Sequence, residues 1–118
     1  MRARILVVDD DAPVRVLLDH VLARAGYDVM VAADGEEALS KIRADGPDLV
    51  ILDLMMPVMD GWEVLRQLRA GGNAPPVLVV SAVVDSQKLM AAGASACLSK
   101  PYPLNRLLAL CDDLLRQR

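Results

Sequence analysis

The chain has 118 residues, 54% of them hydrophobic, enough for one domain whose core needs neither disulfide nor metal to hold it. Thirteen Lys and Arg against sixteen Asp and Glu leave a net charge of −3, so there is no basic footprint for nucleic acid or for an anionic membrane surface. The only cysteines, Cys97 and Cys111, are accompanied by no second pair and no histidine cluster, which excludes a disulfide framework and a zinc site and points to a reduced, cytoplasmic setting.

The first apolar run, Arg4–Val8, has the length of a buried strand and is cut off by Asp9, Asp10 and Asp11, far too soon for a signal core. A helix follows on the stripe Val14, Leu17, Leu18, Val21 and Leu22, with Asp11 as its N-cap, Pro13 in the opening turn and Gly26 closing it. His20 falls on its solvent side. Asp28–Ala32 reads as a second strand, and Asp34-Gly35-Glu36-Glu37 opens a second helix with a near capping box, ended by Asp45-Gly46-Pro47. Leu49–Asp53 is a third strand, and a third helix spans Gly61 to Ala70 on Trp62, Val64, Leu65 and Leu68. After Gly71-Gly72-Asn73 and Pro75-Pro76 come a fourth strand, Val77–Ser81, and a short helix within Ser86–Ala92. Cys97–Ser99 is the last strand. The closing helix carries Leu104, Leu107, Leu108, Cys111, Leu114 and Leu115 on one side. No run approaches the ~18 apolar residues a membrane helix needs.

Strands that are apolar on both faces, alternating with helices, predict a doubly wound α/β domain over residues 1–118: a five-stranded parallel sheet with five helices, the fourth short. Such sheets bind ligands at their carboxyl edge, in the crevice where strand order reverses. The residues at that edge are polar in an otherwise oily chain: Asp9, Asp10 and Asp11, then Asp53, Ser81 and Lys100.

Carboxylates converging there repel, by roughly 3 kcal/mol for a pair ~5 Å apart at an effective dielectric of about 20. Such a cluster calls for a cation. A donor set of oxygens alone favours magnesium or a similar hard ion over zinc. An aspartate triplet after the first strand also argues against a nucleotide cradle, which would present bare amides to phosphate. With a cation in place, Asp53 becomes a carboxylate nucleophile able to form an aspartyl phosphate, while Lys100 and Ser81 offer a charge and a hydroxyl to the phosphoryl oxygens.

Taken in order, Ile5-Leu6-Val7-Val8-Asp9-Asp10-Asp11, the segment Ile51 to Gly61, Ser81-Ala82 and Lys100-Pro101 span nearly the whole chain. Together they make it resemble the receiver domain of bacterial two-component response regulators. The resemblance implies strand order 2-1-3-4-5 and a cis Lys100–Pro101 bond. It implies that Asp53 takes a phosphoryl group from the phosphohistidine of a sensor histidine kinase or a phosphotransfer protein. It assigns Asp10 to direct Mg2+ binding, Asp9 mostly to binding through water, and Met55 to the metal through its backbone carbonyl only. A downstream output domain or protein would read the switched surface. By the same resemblance the chain is not a classical enzyme, because it catalyses only its own phosphorylation and slow dephosphorylation.

The chain departs from that family at four places. Cys97 stands three residues before Lys100, where the family usually has an aromatic side chain that swings inward, so switching is expected from the Ser81 loop or from Tyr102. The Ser81–Lys100 stretch is a few residues short, which trims the fourth helix. Met55 and Val83 replace residues that modulate hydrolysis in the family; both are apolar and cannot orient a water, so a long-lived phosphoryl group is expected. A phosphorylation-independent pseudo-receiver that binds a partner constitutively is the alternative, disfavoured by the complete set of Asp9, Asp10, Asp53, Ser81 and Lys100. A small phosphatase lacks room for its cap. Cognate kinase, pathway, oligomeric state and the presence of further domains are left open by the sequence.

Overall fold

The computed structural model describes residues 2–117. Five strands alternate with five helices: β1 Arg4–Val8, α1 Ala12–Arg24, β2 Asp28–Ala32, α2 Gly35–Asp45, β3 Leu49–Asp53, α3 Gly61–Gly71, β4 Val77–Ser81, α4 Ser86–Ala91, β5 Ala96–Ser99 and α5 Leu104–Gln117. All strand pairs are parallel, in the order β2-β1-β3-β4-β5. The expected architecture is therefore present, with β5 beginning one residue earlier, at Ala96, and α3 ending one later, at Gly71. None of the described helices is long and apolar enough to cross a membrane.

The period-2 geometry of a strand sends alternate side chains of the same apolar run to opposite faces. Leu6, Val8, Val50, Leu52 and Val79 pack under Leu39 and Ile42 of α2, Val64 and Leu65 of α3 and Leu89 of α4. Ile5, Val7, Leu49, Ile51, Leu78 and Val80 pack under Leu18 and Leu22 of α1 and Leu107 and Cys111 of α5. Every residue of β3 and β4 is buried, which is why these runs do not alternate in polarity. Each fully buried Leu contributes about 1.5–3 kcal/mol of transfer free energy, so the two cores hold the sheet rigid between them.

Helix ends follow their local chemistry, with one exception. The Asp34 side chain accepts from the Glu37 N–H at 2.9 Å, and Glu37 Oε1 accepts from the Ala33 N–H at 2.9 Å. Asp60 and Asp85 likewise accept from Glu63 and Lys88 N–H groups at the starts of α3 and α4. Asp11, expected to cap α1, holds the N-cap position but its carboxylate makes no capping bond. Its backbone N–H instead donates to Asp9 Oδ1 at 2.9 Å. The cap has been given up to hold a neighbouring acid in place. The expected α1 stripe also narrows: Leu18 and Leu22 are buried, whereas Leu17 is 49% and Val16 70% exposed.

Candidate active site

The direction of chain exit reverses between β1 and β3, since β1 leads to β2 on one side and β3 to β4 and β5 on the other. Asp9 lies just past β1 and Asp53 is the last residue of β3, so both stand at this switch point. One carboxylate oxygen each from Asp9, Asp10 and Asp53 lies within 4.8 Å of the others. Asp9 and Asp53 are buried, at 5% and 6% exposure, while Asp10 is exposed.

Lys100 reaches this cluster from the end of β5. Its Nζ donates to Asp9 Oδ2 at 3.3 Å and stands 3.7 Å from Asp53 Oδ1. Its backbone N–H donates to the Ser81 carbonyl at 2.8 Å, carrying the β4–β5 pairing one step beyond Ser99. The Lys100–Pro101 peptide is cis, as the resemblance implies. Ser81 ends β4 almost fully buried, and its Oγ accepts from the Val83 N–H at 3.4 Å. All the expected site residues thus meet at one edge of the sheet. Met55, expected to serve through its backbone alone, donates its N–H to Asp53 Oδ1 at 3.4 Å while the residue is 73% exposed, whereas Met56 and Met59 pack on the core.

The electrostatics follow from this crowding. Burial and the Asp9 charge push the Asp53 carboxyl above its ordinary value, against the pull of Lys100 and the Met55 amide. Burial works to lower the pKa of Lys100, but Asp9 and Asp53 outweigh it and the net shift is upward, so the ammonium persists. Tyr102 is raised by burial, with Lys100 opposing and Asp9 adding to the shift. An all-oxygen set of three acids beside one ammonium, with the Asp53 charge only partly offset, suits a hard divalent cation.

The loop from Leu54 to Asp60 is held close over Asp53. Gly61 permits this: a Cβ there would lie 2.6 Å from the Asp53 carbonyl oxygen and 2.8 Å from Leu54 Cα, and its N–H donates to the Leu54 carbonyl at 3.0 Å. The loop turns at Val58, whose φ of 68° is in the left-handed region that a β-branched residue avoids. A Met59 N–H to Pro57 carbonyl bond of 2.7 Å closes this three-residue turn.

A family model for the response regulator receiver domain matches residues 5–112. The chain belongs to the response regulator receiver family. The receiver is 49% identical over 120 residues to the response regulator MprA of Mycolicibacterium vanbaalenii, which spans 99% of this chain and 52% of that protein. It therefore covers about half the length of the curated relatives it matches. Among solved structures it resembles the chemotaxis protein CheY4 of Vibrio cholerae, with a TM-score of 0.88 and 34% identity over 97% of this chain and 99% of that one. The BeF3-activated N-terminal receiver domain of Klebsiella pneumoniae RstA gives a TM-score of 0.86 and 33% identity over 96% and 98%.

Two features of this receiver site escape sequence patterning. Arg15, on the first turn of α1, donates from Nη1 to the Asp9 carbonyl at 2.8 Å; only its position in that turn could have signalled it. The positive φ of Val58 has no sequence signal at all, because turn chemistry would place Gly or Asn there. Cys97, at the place of the usual aromatic residue, is half-buried against the α2–α3–α4 core.

Proposed function

We propose that the receiver accepts a phosphoryl group from a protein phosphohistidine onto Asp53, with Mg2+ held by Asp9, Asp10, Asp53 and the Met55 carbonyl. The observation that carries this is the convergence of three carboxylates on one point with the Lys100 ammonium between Asp9 and Asp53. Asp53 supplies the attacking oxygen: a P–O bond forms as the P–N bond to the donor imidazole breaks, and the donor nitrogen keeps the electron pair. Burial and like charge keep the Asp53 carboxylate poorly solvated, which favours its attack. When bound, Mg2+ neutralises charge on the phosphoryl oxygens and on the acids that surround them. Lys100 is placed to bind one phosphoryl oxygen after the transfer, and the Ser81 hydroxyl to donate to another. In that sense the chain catalyses its own modification without being a conventional enzyme.

The apolar depression of about 590 Å³ beside Lys100, lined by Val14, Leu17, Ala82, Tyr102 and Leu104 among others, supports docking of a sensor kinase or phosphotransfer protein there. Met55 and Val83, 73% and 79% exposed, offer no polar group to hold an attacking water, which supports a long-lived phosphoryl state. We place this activity in the cytoplasm, with the rearranged loops after β3 and β4 read by an output partner. A constitutive pseudo-receiver has no use for acids held so close together.

The test is mass spectrometry after incubation with acetyl phosphate and Mg2+. Asp53 is expected to gain about 80 Da, the mass of one phosphoryl group, and the Asp53→Asn protein nothing. No gain in either protein, or the same gain in both, would overturn the assignment.

A further inference from the structure

On α1 the exposure pattern is inverted. Val16 and Leu17 lie open to solvent, while Arg15, the charged residue beside them, is half-buried. Arginine near a helix N-terminus also opposes the helix dipole, so neither packing nor electrostatics of the helix accounts for its inward course. Its guanidinium is within ion-pair distance of no carboxylate among the described residues. Arg15 goes instead to a carbonyl, that of Asp9, at 2.8 Å.

That carbonyl completes an unusual set of restraints on one residue. The Asp9 N–H donates to the Ala32 carbonyl at 3.1 Å, its Oδ1 accepts from the Asp11 N–H at 2.9 Å, and its Oδ2 from Lys100 at 3.3 Å. Asp10 differs in kind: it is exposed, and its carboxylate accepts no hydrogen bond among the described residues. The Asp9 carbonyl and the Asp10 N–H belong to one planar peptide unit, so the bond from Arg15 fixes the plane from which Asp10 departs.

We infer that Arg15 is a positioning residue for the cation site: by locking the Asp9–Asp10 peptide it aims the otherwise unsupported Asp10 carboxylate at the ion. This rests on the metal-dependent reading given above. Partners that orient ligands in this indirect way commonly change metal affinity by about 10- to 100-fold when removed.

Charge and positioning predict opposite outcomes, which makes the inference testable. Free Mn2+, as a stand-in for Mg2+, is counted by electron paramagnetic resonance in titrations of the unaltered chain, Asp10→Asn, Arg15→Met and Arg15→Lys. Metal-free thermal unfolding in chelator is measured alongside. Arg15→Met is expected to bind about tenfold more weakly while staying folded, and Arg15→Lys, which keeps a donor on a long stem, to recover most of the affinity. Binding by Arg15→Met equal to or tighter than that of the unaltered chain would overturn the inference, because loss of a nearby cation would then be the only effect felt. An Arg15→Met protein unfolded without metal would overturn it too, by placing Arg15 in the fold. If the unaltered chain itself binds no Mn2+, or Asp10→Asn binds as well as it does, the metal-dependent reading fails instead.

Discussion

Asp53→Asn is expected to make the metal-free protein more stable, although it removes the residue on which the proposed chemistry depends. The substitution is nearly isosteric, so packing is preserved and the change is one of charge. In the native crevice, Asp53 shares a 4.8 Å sphere with Asp9 and Asp10, and each like-charge pair costs about 3 to 4 kcal/mol at an effective dielectric near 20. Lys100, 3.7 Å from Asp53 Oδ1, returns about 4 to 5 kcal/mol on the same scale. Repulsion and burial together outweigh that attraction, as the raised pKa of Asp53 requires. Water entering the open crevice screens every one of these interactions, which leaves a net gain for Asn of about 1 to 2 kcal/mol and a Tm rise of roughly 3 to 10 °C.

The pH dependence has a definite sign. A carboxyl group whose folded pKa is raised binds its proton more tightly in the native state, so its ionisation costs stability above that pKa and costs nothing once it is protonated. The advantage of Asn should therefore be full at pH 7 and vanish as pH falls below about 4, the unfolded value for Asp. Thermal unfolding in chelator at a series of pH values measures it. With Mg2+ added the two proteins should draw together, because the ion stabilises the acidic form selectively. An Asn protein less stable than the parent at pH 7 without metal would mean that the ion pair with Lys100 dominates the site.

Val58→Gly should stabilise the chain by up to about 1 kcal/mol in urea unfolding, because glycine adopts the positive φ of 68° without the penalty a β-branched residue meets. Gly61→Ala should do the reverse, costing about 1–3 kcal/mol and reducing acetyl phosphate incorporation, since its methyl group meets Asp53 backbone at 2.6 Å. The phosphorylated protein should decay over minutes or longer in Mg2+, and a half-life of seconds by phosphate release would contradict the role given to Met55 and Val83. The Cys111 thiol, buried and pushed up to about 12, should resist iodoacetamide at pH 8 while half-buried Cys97 is alkylated first, as peptide mapping would reveal.

The strand positions were legible because β1, β3 and β4 are apolar on both faces and Gly and Pro punctuate what lies between them, whereas the sheet order came only from the resemblance to the receiver family. The acids, Ser81 and Lys100 were legible for a related reason: a polar residue ending an apolar run has few places to be except the carboxyl edge. What patterning missed depends on contacts made across the fold. Asp11 has the composition of a helix cap, yet its amide serves Asp9 and its carboxylate caps nothing. Leu17 follows the helical period, but the β5–α5 connection leaves its side open, so half of it faces solvent. Val58 takes a conformation against its own preference because the loop is pinned on both sides, by the turn at Pro57 and by the close seat of Gly61.

One rim of the sheet carries the cluster of Asp9, Asp10 and Asp53, and the other lies at the far end of the strands. Arg2 is paired with Asp28 at 3.9 Å, at the amino-terminal end of β2, and Arg116 lies near enough to Tyr27 to influence its ionisation. Arg2 and Arg116 therefore both lie toward the amino-terminal end of β2, at the opposite end of the strands from Asp53. A fluorophore, affinity handle or surface tether attached at Arg2 or Arg116 would hang on that far rim, away from Asp53. Dyes attached at Arg2 and Arg116 would both lie at that rim and register little of what happens at the other, so a sensor built on this molecule needs at least one label in the loop after β3 or β4.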